Sequence, residues 1–496
     1  MRPDLVVDLP ISVDRADPRP LPVQIAAGVR ELIASGVLSG GDHLPATRPL
    51  AVQLGVARGT VVAAYDELAA EGHLVADHGS GSVVRPSPTT APSPTTVVAG
   101  DRSGAASATG RDDATPPPPR TTWPRSPSPR ARSPRGLPGS TALVDLPPGR
   151  PDTSTLADPH WRSAWRRAAA RPCGPVTDPL GDPSLRDRIA DHLRLMRGVV
   201  ADPARIVVTA GAREGLASVL EALATDPSHP RPLSVGVESP GYPSLRKVPA
   251  ALGHRTVDLP TDASGIDTSA LPTGHLDAAL VTPSHQYPHG GSLPGTRRVE
   301  LAGWAARTGC LLVEDDHDSE LRHVGTPLPA LTTVAARDTV LLGTFSALLG
   351  PGLSCGYLLA PARLVDPLRR RRAALGQPVS AIVQTALADY LASGQLRRHT
   401  QRMRRVYRRR RQLVVDRLGH LSHGQLLPLE GGLHAVLVCR DEEAVVAGCA
   451  ARGVAVTALS SYWGGAGARR GVVVGFGSHD DATLARALDV IAEVVG

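Results

Sequence analysis

Residues 343–357 read GTFSALLGPGLSCGY, a glycine-rich loop that directly follows the apolar run at 340–342. Similar short apolar runs recur through residues 141–496 and alternate with stretches of helical periodicity. This alternation predicts an α/β domain with a mainly parallel sheet. Ligands of such sheets gather at the carboxyl ends of the strands, so the loop marks a candidate ligand site.

Three further motifs follow other apolar runs, in chain order. The string TAGAREGL at 209–216 is a glycine-led helix start, whose backbone N–H groups at Gly211 and Ala212 suit an anion. The string ESPGYP at 238–243 contains Tyr242, and EDDHDSE at 314–320 contains Asp315 and His317. All of them are expected at the same edge of the sheet as the loop.

These strings, together with TPSHQYPHG at 282–290, resemble those of fold type I aminotransferases, in the form found in MocR-type regulators. The resemblance implies a pocket for pyridoxal phosphate (PLP). In that pocket Gly211 and Ala212 would hold the phosphate, Tyr242 would stack on the pyridine ring, and Asp315 would pair with the ring nitrogen. A buried carboxylate needs such a partner, and neighbouring arginines are the alternative partner for Asp315.

The chain departs from the family pattern where PLP is held most specifically. Ala347 stands where relatives carry the lysine of the Schiff base, Ser354 where they carry a phosphate-binding arginine, and His317 where they carry a tyrosine. An imine requires a primary amine, and alanine has none. The only lysine in the chain is Lys247, five residues after Tyr242. We therefore predict an aminotransferase-like domain without catalytic activity or covalent PLP.

Weak anion binding remains possible at this loop. The hydroxyl groups of Thr344, Ser346 and Ser354, with the backbone at 211–212, can still bind an anion without the bidentate arginine. The pocket would then bind PLP non-covalently, bind another small molecule, or serve only as a scaffold for dimers. A PLP-dependent enzyme that uses Lys247 and a constitutive DNA binder with a structural body are the two alternatives.

Residues 12–84 show a different pattern. Helical periodicity from Leu21 is followed by LPATR at 44–48, LGVARGTV at 54–61 and the turn-rich segment around Gly81, which predicts a helix, a helix-turn-helix and a two-stranded wing. These strings resemble GntR-type winged helix domains. The second helix of the motif would enter the major groove with its amino end. The predicted DNA-binding residues are Arg48, Arg58, Thr60, His78, Gly79 and Gly81.

Between the two domains, residues 85–140 are rich in proline, serine, threonine, glycine and arginine. Such a composition offers few apolar side chains to bury, so we predict a disordered linker with polyproline II character. The linker would tether the DNA-binding domain of 12–84 to the α/β domain of 141–496.

Composition excludes several classes of protein. The chain has 496 residues, a length typical of two or three domains, and its hydrophobic content of 42% is that of globular proteins. No apolar run approaches the roughly 20 residues of a membrane helix, and the start of the chain lacks a signal peptide, so a cytoplasmic location is expected. The five scattered cysteines predict neither disulfides nor a metal site.

The sequence thus predicts a multi-domain protein: an α+β winged helix-turn-helix, a disordered linker and an α/β fold type I aminotransferase-like domain. The expected partners are double-stranded DNA, towards which a net charge of +7 is favourable, and a small-molecule effector. By resemblance the protein would also pair as a homodimer.

Overall fold

The computed structural model describes residues 9–15, 17, 19–35, 37–38, 41–70, 73–77, 81–84, 143–156, 158–172, 174, 178–226, 231–324, 329–464 and 469–496. His78, Gly79 and the predicted linker lie outside the described residues. No helix in the described part of the chain is long and apolar enough to cross a membrane.

The amino-terminal part is the predicted winged helix-turn-helix, which we call the head. Its elements are α1 (Leu21–Ala34), α2 (Thr47–Leu54), α3 (Arg58–Ala70), β1 (Leu74–Asp77) and β2 (Gly81–Val84). The strands pair antiparallel, with Ala76 opposite Ser82. Gly55 ends α2 with a φ of 63°, a left-handed conformation that glycine adopts without strain.

The head has its own apolar core. Ile25 and Val29 of α1, Leu50 of α2, and Val61 and Leu68 of α3 are all fully buried. Spacings of four residues in α1 and seven residues in α3 place these side chains on one face of each helix, which explains why the periodicity predicted these helices correctly.

The first half of the carboxy-terminal part, which we call the body, contains β3 (Val144–Asp145), α4 (Pro159–Ala170), α5 (Pro183–Arg197), β4 (Ile206–Thr209), α6 (Ala212–Leu223), β5 (Ser234–Ser239), α7 (Pro243–Ala251), β6 (Arg255–Asp262), β7 (Gly265–Ile266), β8 (Ala278–Val281), α8 (Gly295–Thr308), β9 (Leu311–Asp316), β10 (Thr339–Thr344) and α9 (Ser346–Leu349). The remainder contains β11 (Gly356–Leu359), α10 (Ala362–Leu375), α11 (Ala381–Ala392), α12 (Gln395–Leu418), β12 (Gly424–Leu426), β13 (His434–Cys439), α13 (Glu442–Ala451), β14 (Val454–Ala455), β15 (Thr457–Ala458), β16 (Gly471–Gly475) and α14 (Asp481–Val495).

Eight strands form the main sheet, in the order β4-β11-β10-β9-β8-β5-β6-β7. The strands from β10 to β6 run parallel to one another, whereas β11 and β7 are antiparallel to their neighbours. The sheet is buried on both faces: Val207 of the edge strand β4 and Leu342 of β10 pack in one apolar cluster, and Val208 and Leu341 pack in another. This arrangement confirms the predicted α/β domain with a mainly parallel sheet.

Helix α5 contacts both the head and the sheet. The Arg194 guanidinium donates to the carbonyl oxygen of Val37 at 2.8 Å and forms an ion pair with Asp42, both in the head. One turn later, the Arg197 guanidinium donates to Asp316 at 2.8 Å and to the Ser284 hydroxyl at 3.0 Å. A single helix therefore connects the head to the carboxyl end of β9.

The end of β10 depends on Gly343 having no side chain. A Cβ atom at Gly343 would lie 2.1 Å from the buried Tyr357 ring, whereas one at Gly352, in the loop that follows β10, would meet nothing within 4 Å. Overpacking of this kind costs about 1–3 kcal/mol. We expect Gly343→Ala to lower the thermal unfolding midpoint of the full-length protein and Gly352→Ala to leave it nearly unchanged. Equal midpoints for both variants would show that the close contact is unimportant.

Candidate functional site

The carboxyl edge of the main sheet brings together residues that are far apart in sequence. Thr209, at the end of β4, lies opposite Gly356 of β11, which in turn lies opposite Thr344 at the end of β10. Gly343 lies opposite Asp316 at the end of β9. The loop of 343–357 therefore follows the sheet edge from β10 to the strand beside β4.

Within this loop, two of the predicted ligand-binding hydroxyls contact each other. The Thr344 hydroxyl donates to the Ser346 hydroxyl at 3.0 Å and accepts the Ser346 backbone N–H at 3.1 Å. Ala347 is partly buried and packs against the apolar core. Ser354 is exposed and adopts a φ of 46°, a left-handed conformation that is uncommon for residues other than glycine.

The predicted anion-binding helix start is present next to this loop. Gly211 precedes α6 with a φ of 90°, and a Cβ atom on Gly356 would lie 3.2 Å from the Gly211 Cα atom. Glu214 accepts the Ala210 N–H at 3.0 Å and forms an ion pair of 2.6 Å with Arg372. The amino end of α6, where Ala212 lies, carries a partial positive charge from the helix dipole. The Glu214 carboxylate already neutralises part of that charge.

Asp315 faces His317 instead of an arginine. The Asp315 side chain is 1% exposed, and its Oδ2 atom lies 3.2 Å from His317 Nδ1. The geometry of this ion pair falls short of a hydrogen bond, because no described residue bonds either Asp315 oxygen. Burial alone would lower the pKa of His317, but Asp318 and Asp315 raise it well above its ordinary value.

A second histidine joins the same group of side chains. The Nδ1 atom of His285 lies 2.8 Å from Asp318 Oδ2, and the Nε2 atom of His317 lies 3.2 Å from that same oxygen. Burial alone would raise the pKa of the Asp318 carboxyl, but His285 and His317 lower it well below its ordinary value. The four side chains thus form a continuous chain of charge contacts from Asp315 to His285.

Tyr242 lies beside this group at the opening of the pocket. Its ring is nearly parallel to that of His317, at a centroid distance of 6.5 Å, and it packs edge-on against Tyr287 at 4.9 Å. Tyr242 is 40% exposed, so the aromatic face near His317 is accessible from solvent.

Glu238 is a buried acid that we did not predict. It accepts the Thr282 backbone N–H at 2.9 Å, contacts the Thr282 hydroxyl, and is 4% exposed. Burial raises the pKa of Glu238 to about 7, although the Thr282 and Gln286 hydrogen bonds oppose that rise. Its position in the sequence could have identified it, because Glu238 follows an apolar run just as Asp315 follows another.

The predicted DNA-binding residues that the structure describes lie at the amino ends of α2 and α3 and at the start of β2. Arg48 is exposed in the first turn of α2, and Arg58 is exposed at the first residue of α3. Arg58 Nε donates to the Thr47 hydroxyl at 3.2 Å, which connects the amino ends of the two helices. Thr60 follows in the first turn of α3, and Gly81 begins β2.

The chain belongs to two families whose models together cover most of it. Residues 21–84 match the gntR family of bacterial regulatory proteins, and residues 142–491 match aminotransferase class I and II. It is therefore a gntR-family regulatory protein whose body is an aminotransferase class I and II domain, and the family partner of its head is double-stranded DNA.

The similar proteins that align over nearly the whole chain are named as regulators. The HTH-type pyridoxine biosynthesis transcriptional regulator PdxR of Corynebacterium glutamicum is 49% identical over 493 residues, which are 99% of each chain. The probable rhizopine catabolism regulatory protein MocR of Rhizobium meliloti is 29% identical over 95% of this chain and 93% of its own. The predicted resemblance to MocR-type regulators is thus confirmed at the level of the family.

Solved structures confirm the fold of the body. An archaeal alanine:glyoxylate aminotransferase aligns with a TM-score of 0.64 at 20% identity, over 71% of this chain and 90% of its own. The aspartate aminotransferase of Thermus thermophilus with maleate aligns with a TM-score of 0.62 at 24% identity, over 71% and 92%.

The raised pKa of Glu238 predicts a pH effect on stability. Folding raises this pKa from 4.5 to about 7, so the folded protein keeps a proton that the unfolded chain releases in that range. The stabilising contribution of Glu238 is therefore complete below pH 4.5 and is lost as the pH rises to about 7. Glu238→Gln resembles the protonated acid and avoids this loss, which amounts to about 3 kcal/mol.

We expect Glu238→Gln to match the wild type in urea unfolding at about pH 4 and to be the more stable protein at about pH 8. Glu493→Gln, at an exposed position of α14, is the matched control and should differ little at either pH. A constant difference between Glu238→Gln and wild type across this range would contradict the raised pKa.

Proposed function

We propose that the protein is a MocR-type transcription regulator that binds DNA through its head and senses a small molecule through a body that does not bind PLP covalently. One observation carries this proposal. A gntR-type head and an aminotransferase-fold body occur in the same chain, and the loop of the body has Ala347 at the position where an imine with PLP would require an amine. The proposed domains are residues 12–84, 85–140 and 141–496, and we propose a homodimer by analogy with the family.

Three features of the pocket support the loss of covalent PLP. Ala347 packs against the core and offers no nucleophile. Ser354 is exposed, and its hydroxyl contacts only the Pro351 carbonyl oxygen, at 3.5 Å, among the described residues. His317 already lies against Asp315, the carboxylate that would otherwise pair with the pyridine nitrogen. These residues do not fit a PLP molecule held as a Schiff base.

The alternative of an enzyme that uses Lys247 has less support. Lys247 lies on α7 with an exposed side chain. Desolvation or a nearby cation is the usual way to lower the pKa of a lysine until it becomes a nucleophile, and an exposed lysine lacks the first of these. We therefore propose that the body has no aminotransferase activity.

Helix α5 supports a route from pocket to head. Its Arg197 contacts Asp316 and Ser284, the neighbours of Asp315 and His285, while its Arg194 contacts Asp42 of the head. A ligand that favours one position of α5 would change the freedom of the head, and so change DNA affinity. Because the PdxR relative is named for pyridoxine biosynthesis, genes of that pathway are the first targets to test.

The DNA-binding proposal predicts a loss of affinity in two arginine variants. Arg48→Ala and Arg58→Ala should each weaken binding of the full-length protein to a duplex selected from a random pool, by about tenfold or more. Arg452→Ala, at an exposed position of the body, is the control and should bind normally. Fluorescence anisotropy at two or more salt concentrations gives the affinity and its dependence on salt. The slope of the logarithm of the binding constant against the logarithm of the salt concentration should become shallower by about one for each lost phosphate contact. Unchanged affinity in both head variants would refute the assigned surface.

The loss of covalent PLP predicts an absence of pyridoxyl-lysine. Full-length protein incubated with PLP and reduced with borohydride should carry no stoichiometric pyridoxyl group on Lys247, as measured by peptide mass spectrometry. Ala347→Lys introduces a primary amine into the loop and is the positive control. Any pyridoxyl group that is still found in Lys247→Arg must be attached to a group other than Lys247. Stoichiometric modification of Lys247 in the wild type would support the enzyme instead.

A further inference from the structure

We propose that the pocket of the body binds a divalent transition-metal ion through His285, His317 and Asp318, with Asp315 orienting His317. This inference rests on the proposed loss of covalent PLP, because a pyridine ring and the His317 imidazole would compete for Asp315. It goes further by naming the class of ligand that the altered pocket takes.

The three side chains already have nearly the spacing of metal ligands. Their ligand atoms lie within 4.8 Å of one another, and no other such group of histidine, cysteine and acidic residues occurs in the described part of the chain. The Asp318 Oδ2 atom is 2.8 Å from His285 Nδ1 and 3.2 Å from His317 Nε2. Ligands bound to tetrahedral zinc at about 2.0–2.2 Å lie about 3.3 Å apart, so an ion requires only a small separation of these atoms.

The donor set indicates the class of ion. Two imidazoles and one carboxylate suit first-row divalent ions such as Zn²⁺, Co²⁺ and Ni²⁺. Mg²⁺ and Ca²⁺ prefer oxygen ligands and are poorly matched by two ring nitrogens. Three protein ligands leave a position for water or a small molecule, as in catalytic zinc sites.

Asp315 occupies the position of an orienting carboxylate. Its Oδ2 atom faces His317 Nδ1 at 3.2 Å, while the other ring nitrogen of His317 faces Asp318. A histidine that binds a metal through one nitrogen commonly donates its other N–H to a carboxylate, which fixes the tautomer and the ring orientation. At this distance the two side chains attract each other electrostatically, while both Asp315 oxygens remain without a hydrogen bond among the described residues.

Polar atoms without hydrogen bonds provide an independent indication of a ligand. Both Asp315 oxygens and the Nε2 atom of His285 are buried and have no hydrogen-bond partner among the described residues. Asp315 and His285 are 2% and 4% exposed, respectively. The backbone of Gly432 packs directly against the pair of His285 and Asp318, since a Cβ there would lie 2.3 Å from the His285 ring. The His317 side chain, 21% exposed, provides access from solvent.

The test is a Zn²⁺ titration of the full-length protein after removal of any histidine tag, by calorimetry and by equilibrium dialysis against a weak chelator. We expect one ion per chain. His317→Tyr, which introduces the residue found in relatives, should lower the affinity by about a hundredfold or more, and Asp315→Asn should lower it by about 10–100-fold. Co²⁺ added in place of Zn²⁺ should give a visible absorption band that His317→Tyr removes.

Exposed histidines elsewhere provide the matched control. His420 and His423 are both exposed and lie three residues apart, so they can bind a metal adventitiously. The double variant His420→Ala/His423→Ala should keep the single tight site. Thermal unfolding without metal verifies that each variant is folded.

The inference is overturned if the wild type binds no Zn²⁺ or if His317→Tyr binds Zn²⁺ as tightly as the wild type. It is also overturned if His420→Ala/His423→Ala is the only variant that loses Zn²⁺ binding. The titration involves neither DNA nor PLP, so its failure leaves the proposed regulator intact. Conversely, a pyridoxyl group on Lys247 would refute the proposed loss of covalent PLP, and the Zn²⁺ titration of PLP-free protein would then test the metal site separately.

Discussion

Three consecutive buried carboxylates at the end of β9 determine how the rest of the pocket is arranged. Glu314, Asp315 and Asp316 are each 8% exposed or less. Uncompensated charges in such surroundings are costly, so each acid needs a partner from another part of the chain. Glu314 accepts the Leu331 backbone N–H at 2.8 Å, and burial raises its pKa. Asp316 binds Arg197, and Asp315 faces His317.

This requirement also explains why helix α5 is held so firmly. The guanidinium of Arg197 is almost completely buried, and its pKa is raised because Asp316 and Glu314 outweigh the effect of burial. Removing one partner of a buried ion pair commonly costs about 3–5 kcal/mol, so α5 cannot leave β9 without a large loss of stability. The contact of Arg194 with the head is exposed to solvent by comparison and is the weaker end of the same helix. Movement between head and body is therefore expected at Arg194 and not at Arg197.

Most of the fold, and less of the site, could be predicted from the sequence. Apolar periodicity placed the helices of the head, and short apolar runs placed β4, β5, β8, β9 and β10, because burial depends on local spacing. Family strings then indicated which strand ends form the pocket. Pairings such as His285 with Asp318, 33 residues apart, or Arg197 with Asp316, 119 residues apart, depend on tertiary packing. No local pattern encodes them, and so Glu238 and the cluster around Asp318 were missed.

Relative to the pattern of the MocR-type regulators that the chain resembles, Ala347 and His317 have opposite electrostatic consequences. Alanine at 347 offers no cation to the loop, whereas histidine at 317 places a basic imidazole between two buried carboxylates, Asp315 and Asp318. In a pocket without a ligand, neutral side chains at 315 and 318 would cost less free energy of folding than charged ones. Replacing buried ion pairs by apolar residues is often neutral or stabilising. Asp315 and Asp318 instead lie on either side of the basic side chain of His317. A ligand that enters this pocket must therefore either displace His317 from Asp315 or bind on its outer side beside Asp318 and His285. The second route leaves every buried carboxylate paired, which favours a cation over a pyridine ring.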